Sequence, residues 1–329
     1  MTPSLVAVAE ATDVSEARRR AGDVSHALGL DEVTAGRVAL VVTEMATNLL
    51  KHAGGGEVFV GRMELSHGVQ VIAMDRGRGI PNIGESLVDG FSTAGSPGTG
   101  LGAIKRTADF FDIYTSPAGT VIAANVLARR AEMPPTVGGV CVPVRGEREC
   151  GDAWAVWSAG GLTSVFVVDG LGHGPDAAHA AAVAVATFRR HAERPAADVM
   201  ALVHAALKPT RGAAVALAEL DERAGALRYC AIGNISAVVC RPNGEEQHLI
   251  TLPGIVGHVT RRVQTYSYAW PQGSLLVMHS DGVGTHWTLA RYAGLSRHHP
   301  DVVAGVIYRD HRRGTDDGTA VVTRHGAAA

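Results

Sequence analysis

Five aspartates in the second half of the sequence have surroundings suited to metal chemistry. "CGDAW" carries Asp152, "VVDGLGHGPDAAHAA" carries Asp169, "LLVMHSDGV" carries Asp281, and "GTDDGTAVV" carries Asp316 and Asp317. Three of these stretches put the acid at or beside the end of an apolar, strand-like run, where packing would hold the side chain while its tip reaches solvent. Carboxylate oxygens are hard ligands suited to Mg²⁺ or Mn²⁺, and clustered aspartates repel one another unless a cation neutralises them. Two such ions would turn a bridging water into hydroxide beside a phosphoryl group. The plainer reading of any one Asp-Gly is a turn, since hairpins favour that pair. Their joint occurrence points to chemistry.

A second set lies in the first third. In "TEMATN", Glu44 and Asn48 are four residues apart and share one face of a helix. "DRGRGI" follows an apolar strand and holds Asp75, Gly77 and Gly79. "GSPGTGLGAIKR" is a glycine-rich loop, with Gly98, Thr99, Gly100, Leu101 and Gly102 running into a helix. It fails as a dinucleotide fingerprint, because "ESLVDGFSTAGSP" before it is small and polar rather than a buried strand. It fails as a Walker loop, because Lys105 neither follows a glycine nor precedes Ser or Thr. Taken together, the parts suit a nucleotide. A strand-end carboxylate accepts a hydrogen bond from an exocyclic amine. Glycines let backbone approach a ring and phosphates, and helix-start N–H groups favour anions. Asn48 is placed to ligate Mg²⁺ between phosphates, and Glu44 to orient or deprotonate an attacking hydroxyl.

The elements that must position these residues divide the chain in two. In the first half we expect a strand at 3–11, helices at 15–28 and 31–51, strands at 57–65 and 69–75, a helix over 101–111 and a hairpin to 128. That is a sandwich with helices on one face of a mixed sheet. "RRAEMPPTV" breaks the pattern, so the expected domains are 1–128 and 138–329, joined by a linker at 129–137. The second half is strand-rich, with helices near 175–192, 196–207 and 301–311, and reads as two packed sheets covered by helices. The fold class is therefore α+β. The length of 329 residues, with 46% hydrophobic and 19% charged residues, fits a globular chain of about two domains. A net charge of −2 gives no basic face for nucleic acid. Four cysteines without C-x-x-C spacing exclude a zinc ribbon and a thioredoxin motif. With no signal pattern and no apolar run of membrane length, the expected setting is cytoplasmic, without a membrane.

The order and spacing of the first set resemble the Bergerat-type ATPases, the superfamily of histidine kinases, gyrase and Hsp90-like chaperones. "GFSTAGSPGTGLGAIKRTADFFDI" narrows this to the serine kinases of bacterial partner-switching pathways, the anti-sigma and stressosome switch kinases. The resemblance implies Glu44 as general base, Asn48 as Mg²⁺ ligand, Asp75 on adenine, Gly98 to Gly102 around the phosphates of ATP, and Thr120 on the adenine side. No phospho-accepting histidine helix precedes it. The second set, "VVDGLGHG", "SDGV" and "DDGT", resembles the SpoIIE-type branch of the type 2C-like serine/threonine phosphatases. That resemblance implies Asp152, Asp169, Asp281 and Asp316 as ligands for Mg²⁺ or Mn²⁺, with the Gly170 carbonyl; Asp317 can exchange with Asp316. Cys150 departs from the family's small hydroxyl residue or glycine, the stretch after Asp281 is short for a docking flap, and His173 reads as a loop-shaping residue.

Together they imply a kinase fused to its opposing phosphatase. The substrate would be a phosphorylatable antagonist-type partner, an anti-anti-sigma or stressosome protein; a homodimer is left open. The alternative is a phosphatase whose first half only binds nucleotide and partner. Glu44 speaks for an active kinase, since binding alone needs no base.

Overall fold

The structure is a computed structural model, and it describes residues 4–86, 100–129, 136–259 and 262–326. The chain forms two compact units, one of residues 1–134 and 297–309, the other of residues 135–296 and 310–329.

In the first unit β1 (Ser4–Val8) leads into α1 (Ala11–Ala27) and α2 (Glu32–Asn48), and a π-helical turn, Leu49–Ala53, continues α2. Then come β2 (Gly56–Arg62), β3 (Gly68–Met74), a short α3 (Ile83–Ser86), α4 (Gly100–Thr107), β4 (Phe110–Ser116) and β5 (Gly119–Leu127). Two helix boundaries depart from the periodicity by about a turn. The first helix begins at Ala11, not 15, because Glu10 and Asp13 form a capping box that satisfies the exposed N–H groups of its first turn. The helix expected over 101–111 stops at Thr107, and Phe110 and Phe111 open a strand instead. There Asp109 accepts from Leu127 N and Arg37, which fixes the turn.

The sheet runs β1-β2-β3-β5-β4, and every pairing is antiparallel, so it is not the expected mixed sheet. Alternation along β3 and β5 sends Val69, Val71, Ala73, Ile122, Ala124 and Val126 into the core under α1, α2 and α4. The opposite positions, Gln70, Ile72, Met74, Val121, Ala123 and Asn125, are also buried. Helices on one face alone would leave these in water. Residues 297–309, far along the chain, meet Gln70 and Asn125 through Asp301, and Ile72, Met74 and Val121 beside Gly305.

The second unit holds β6 (Val137–Val142), β7 (Asp152–Ala159), β8 (Leu162–Gly170), α5 (Pro175–His191), α6 (Ala196–Leu207), β9 (Ala213–Asp221), β10 (Ala226–Ile232), β11 (Ser236–Cys240), β12 (Glu246–His248), β13 (Tyr266–Ala269) and β14 (Leu275–His279). After β14 the chain makes two three-residue 3₁₀ turns and enters α7 (Pro300–His311), most of which joins the first unit. It ends in β15 (Gly318–Arg324). The two sheets, β13-β10-β9-β8-β7 and β12-β11-β14-β15-β6, are again antiparallel between neighbours. One core lies between them, built from Val165, Leu227, Tyr229, Trp270, Leu276 and their neighbours. Another seats α5 and α6 on the outer face of the first sheet through Phe166, Phe188, Met200 and Leu207. The short strand β12 is three polar residues, paired to β11 and tied further by Glu246, which accepts from Thr288 Oγ1 and Leu289 N.

Candidate functional site

The aspartates meet where strands of both sheets of the second unit end. Asp152 opens β7 and lies directly opposite Asp169, the penultimate residue of β8. Asp281 follows β14, and Asp316 precedes β15. Ser280 ties the two sheets together, donating from Oγ to Asp152 Oδ2 at 2.6 Å while accepting from Thr319 N at 3.0 Å. Asn234 Nδ2 donates to Asp281 Oδ2 at 2.6 Å. Close backbone approach is required here. A Cβ on Gly282 would lie 1.9 Å from the Asp317 carbonyl oxygen, so only glycine lets the Asp281 turn lie against the Asp316 turn.

The doublet resolves by geometry. Asp317 is buried, and both its oxygens are taken by backbone donors, Oδ1 by Val144 N at 2.6 Å and Oδ2 by Gly151 N at 2.7 Å. It clamps the loop before β7. Asp316 has only its Oδ1 engaged, by Asp317 N.

The electrostatics are those of a site built for positive charge. Burial pushes the Asp152 carboxyl up to about 7 against the hydrogen bond from Ser280, with Asp317 and Asp281 adding repulsion. Burial, then the charges of Asp152, Asp281, Asp316 and Asp317, push Asp169 up to about 9. Asp152 Oδ1 is buried with no hydrogen-bond partner. An unpartnered buried carboxylate oxygen among like charges is costly unless a cation meets it, and hard oxygen donors suit Mg²⁺ or Mn²⁺. The donor set fits a divalent ion, although among the described residues no three His, Cys, Asp or Glu side chains are already drawn into a closed cage. Gly170 ends β8 beside Asp169.

Two other residues have plain roles. His173 Nδ1 lies 2.9 Å from Glu147 Oε1 on the surface, a contact that shapes the loop. Cys150 is buried with its Sγ 3.6 Å from Cys141 Sγ, and that contact together with burial raises its thiol well above the ordinary range. It makes a poor nucleophile.

In the first unit, Glu44 and Asn48 lie on the last turns of α2, and Glu44 takes no hydrogen bond from a described residue. Asn48 Nδ2 is buried and likewise without a partner. A Cβ on Gly100 would stand 3.0 Å from Asn48 Oδ1, so the start of α4 sits against this amide. Since an amide can turn either atom outward, a buried, unpartnered one fits a metal ligand. Asp75 is held at Oδ1 by Gly77 N at 2.8 Å and Thr120 N at 3.1 Å. Thr120 Oγ1 meets Thr115 Oγ1 at 3.0 Å, and Thr115 Oγ1 accepts from Ile80 N at 2.8 Å. Gly79 turns the loop with φ +73°, and a Cβ there would fall 2.3 Å from the Ser116 carbonyl oxygen. Thus Asp75, Gly77, Gly79 and Thr120 form one connected wall, while Asn48, Gly100, Leu101 and Gly102 gather where α4 begins. Gly98 and Thr99 lie outside the described residues.

Residues 159–325 match the family "Stage II sporulation protein E (SpoIIE)". The chain belongs to this family. Residues 7–125 match the histidine kinase-like ATPase domain, so the SpoIIE-family chain carries an ATPase-type domain ahead of its phosphatase domain, the pairing of partner-switching regulators. It is similar to the serine/threonine-protein kinase RsbT of Bacillus subtilis (strain 168), 34% identical over 124 residues that cover 37% of this chain and 93% of RsbT. It is also similar to the phosphoserine phosphatase RsbX of the same organism, 23% identical over 138 residues, 42% of this chain and 69% of RsbX. Among solved structures, a chain of the bacterial stressosome, described as a modular system adapted to control secondary messenger signaling, superposes with a TM-score of 0.54 at 30% identity. It covers 57% of this chain and 98% of that one. RsbX in complex with magnesium shares the fold, with a TM-score of 0.50 at 19% identity over 56% of this chain and 92% of that chain.

Ser280, Asn234 and the clamp formed by Asp317 escaped the sequence reading. Ser280 and Asp317 directly adjoin singled-out aspartates, and that adjacency is the only signal the sequence offers for them.

Proposed function

We propose that this chain both phosphorylates and dephosphorylates a Ser or Thr on an antagonist-type partner, such as an anti-anti-sigma or stressosome protein, with residues 129–137 as the linker between the two activities. The observation that carries the reading is the pair of unsatisfied polar sites in one chain: Glu44 beside the unpartnered Asn48 amide, and Asp152 Oδ1 opposite Asp169. Similarity to a kinase and to a phosphatase, with an ATPase-type family match at 7–125 and a SpoIIE match at 159–325, supports it.

On the kinase side, Asp75 accepts from the amino group of adenine while Gly77 and Thr120 hold its carboxylate in place. The N–H groups at the start of α4, together with Gly98 and Thr99, would receive the phosphates. Asn48 holds the Mg²⁺ that accompanies ATP. Glu44, on the same helix face, takes the proton from the partner's hydroxyl as the phosphoryl group is transferred.

On the phosphatase side, Asp152, Asp169, Asp281 and Asp316, with the Gly170 carbonyl, hold Mg²⁺ or Mn²⁺. Bound there, the cations supply charge neutralisation and an activated water. Ser280 and Asn234 fix the rotamers of Asp152 and Asp281, and Asp317 holds the β7 loop without contacting substrate. Cys150 takes no part.

The test incubates the full chain with ATP, Mg²⁺ and candidate antagonist proteins, then follows phosphate release from the phosphorylated partner with and without chelator. Transfer that disappears in Glu44→Ala, and release that disappears in Asp169→Asn or EDTA, are expected. Release without transfer to any partner would leave the first half a nucleotide-binding module, and release that persists in EDTA would rule out the metal reading.

A further inference from the structure

Residues 297–309 lie within the stretch that matches the SpoIIE family, yet they belong to the first compact unit. Two polar locks seat α7 there. At its first turn the buried Asp301 accepts from Gln70 Nε2 and, at 3.0 Å, from Asn125 Nδ2. Gln70 and Asn125 are directly opposite each other on β3 and β5, so the sheet presents a matched pair of amide donors to one carboxylate. Between the locks the approach is close: a Cβ on Gly305 would stand 2.9 Å from Val121 Cγ1 and 3.1 Å from Ile72 Cγ2. About two turns on, some 12 Å along the axis, comes the second lock. Arg309 Nη1 donates to the Asp75 carbonyl oxygen at 3.0 Å, and the Arg76 guanidinium donates back to the Arg309 carbonyl. Arg309 is 2% exposed.

We infer that Arg309 is a positioning residue for the nucleotide site, holding the Asp75 turn in the geometry that selects adenine. This rests on the proposed role of Asp75. The other anchors of Asp75 are short-range or come from the neighbouring strand: its N–H bonds Thr120 O, and its Oδ1 accepts from Gly77 and Thr120. Its carbonyl is held by Arg309, from 234 residues away. A hydrogen bond from a buried guanidinium is among the stronger kinds, and its loss leaves a buried carbonyl unsatisfied. The reciprocal bond from Arg76 satisfies a carbonyl in the last turn of α7, where helices leave acceptors open and favour cations. Arg309 touches neither base nor phosphate in this reading. It acts through the orientation of Asp75, so its effect should fall on discrimination between bases more than on phosphate binding. A carboxylate accepts from the amino group of adenine but meets the carbonyl of guanine with repulsion, and only a rigidly aimed carboxylate enforces that difference.

The test uses the full chain and calorimetric titration with Mg·ATP and Mg·GTP. Arg309→Met keeps the bulk of the side chain and removes the donors; Arg309→Lys keeps one. The expected result is an ATP affinity about tenfold or more weaker in Arg309→Met, with GTP less affected, so that the ATP-to-GTP ratio narrows several-fold. Arg309→Lys should recover most of that ratio. Equal weakening for both nucleotides with no recovery by Lys would reduce Arg309 to a structural residue and overturn the inference, as would a wild-type ratio in Arg309→Met. If Arg309→Met does not fold by circular dichroism, Arg309→Lys and Arg76→Met, which releases the other half of the clamp, carry the same comparison. A wild-type chain that prefers ATP while these variants keep that preference overturns this inference alone. A wild-type chain that binds neither nucleotide overturns the proposed nucleotide site and this inference with it.

Discussion

The two proposed sites rest on single side chains whose removal has separable effects. Asn48→Ala should weaken Mg·ATP by tenfold or more in calorimetry, since its buried Nδ2 has no hydrogen-bond partner among the described residues. Glu44→Ala should leave that affinity nearly unchanged while slowing transfer to the partner by about 10²- to 10⁴-fold, because a general base acts on the transition state rather than on bound nucleotide. Transfer at the wild-type rate would remove Glu44 from that role. In the other unit, Ser280→Ala takes a hydroxyl donor from Asp152 Oδ2 and the acceptor from Thr319 N. We expect about 10- to 100-fold more Mg²⁺ to be needed for half-maximal phosphate release, as for residues that orient a metal ligand. Cys150→Ser should retain most of the rate, since its thiol is buried and held protonated.

At the scale of elements, the turns matter more than the helices. The Asp75 loop turns at Gly79, where φ is +73° and a Cβ would collide with the Ser116 carbonyl. Gly79→Ala should cost about 1–3 kcal/mol, seen as a lower thermal midpoint, and should weaken nucleotide binding because the Asp75 wall moves with it. An unchanged midpoint together with unchanged affinity would show that the loop is not held as described. The helix limits were legible only in part. Apolar periodicity marks the buried face of α1 but not its first turn, which the Glu10–Asp13 box creates from exposed polar residues. The end of α4 was hidden because "ADFF" suits a helix as well as a strand. The pairing of Phe111 with Ala124 decides for the strand, and no local pattern records that pairing.

At the scale of the whole molecule, the carboxylate cluster makes stability depend on pH in an unusual direction. Asp152 and Asp169 hold their protons to about 7 and about 9 when folded, against 3.8 when unfolded. The folded chain therefore binds more protons between these values, and stability present below about 4 is lost as pH rises. In EDTA the thermal midpoint should fall from pH 5 to pH 8. Saturating Mg²⁺ should flatten that slope, because a cation replaces the protons. A midpoint that rises over this range in EDTA would contradict the arrangement of the cluster. The division of the chain makes a second demand. A fragment of residues 1–134 lacks 297–309 and so exposes Ile72, Met74 and Val121, all buried in the full chain. It should bind a hydrophobic dye and melt below the full chain. A fragment as stable as the full chain, without dye binding, would show that α7 is dispensable cover.

The sequence by itself proposed a chemistry: which aspartates, glycines and amides could serve phosphate and metal, and in what order. Those signals are local, because a residue type and its immediate neighbours state what the side chain can do. It also determined the α+β class, since apolar periodicity is local too. Only the tertiary structure decided which of Asp316 and Asp317 has both carboxylate oxygens taken, because that depends on whether Val144 and Gly151 reach one of them with their N–H groups. The apolar stretch "VIAM" of β3 and "VIAANV" of β5 are buried on both faces, as suits near-continuous apolar strands, where helices on one face alone were expected. They do not say that the second cover is a helix more than 170 residues away, tied on by Asp301 and Arg309. A helix buries its side chains against whichever surface folding brings to it, and no spacing along the chain encodes that choice.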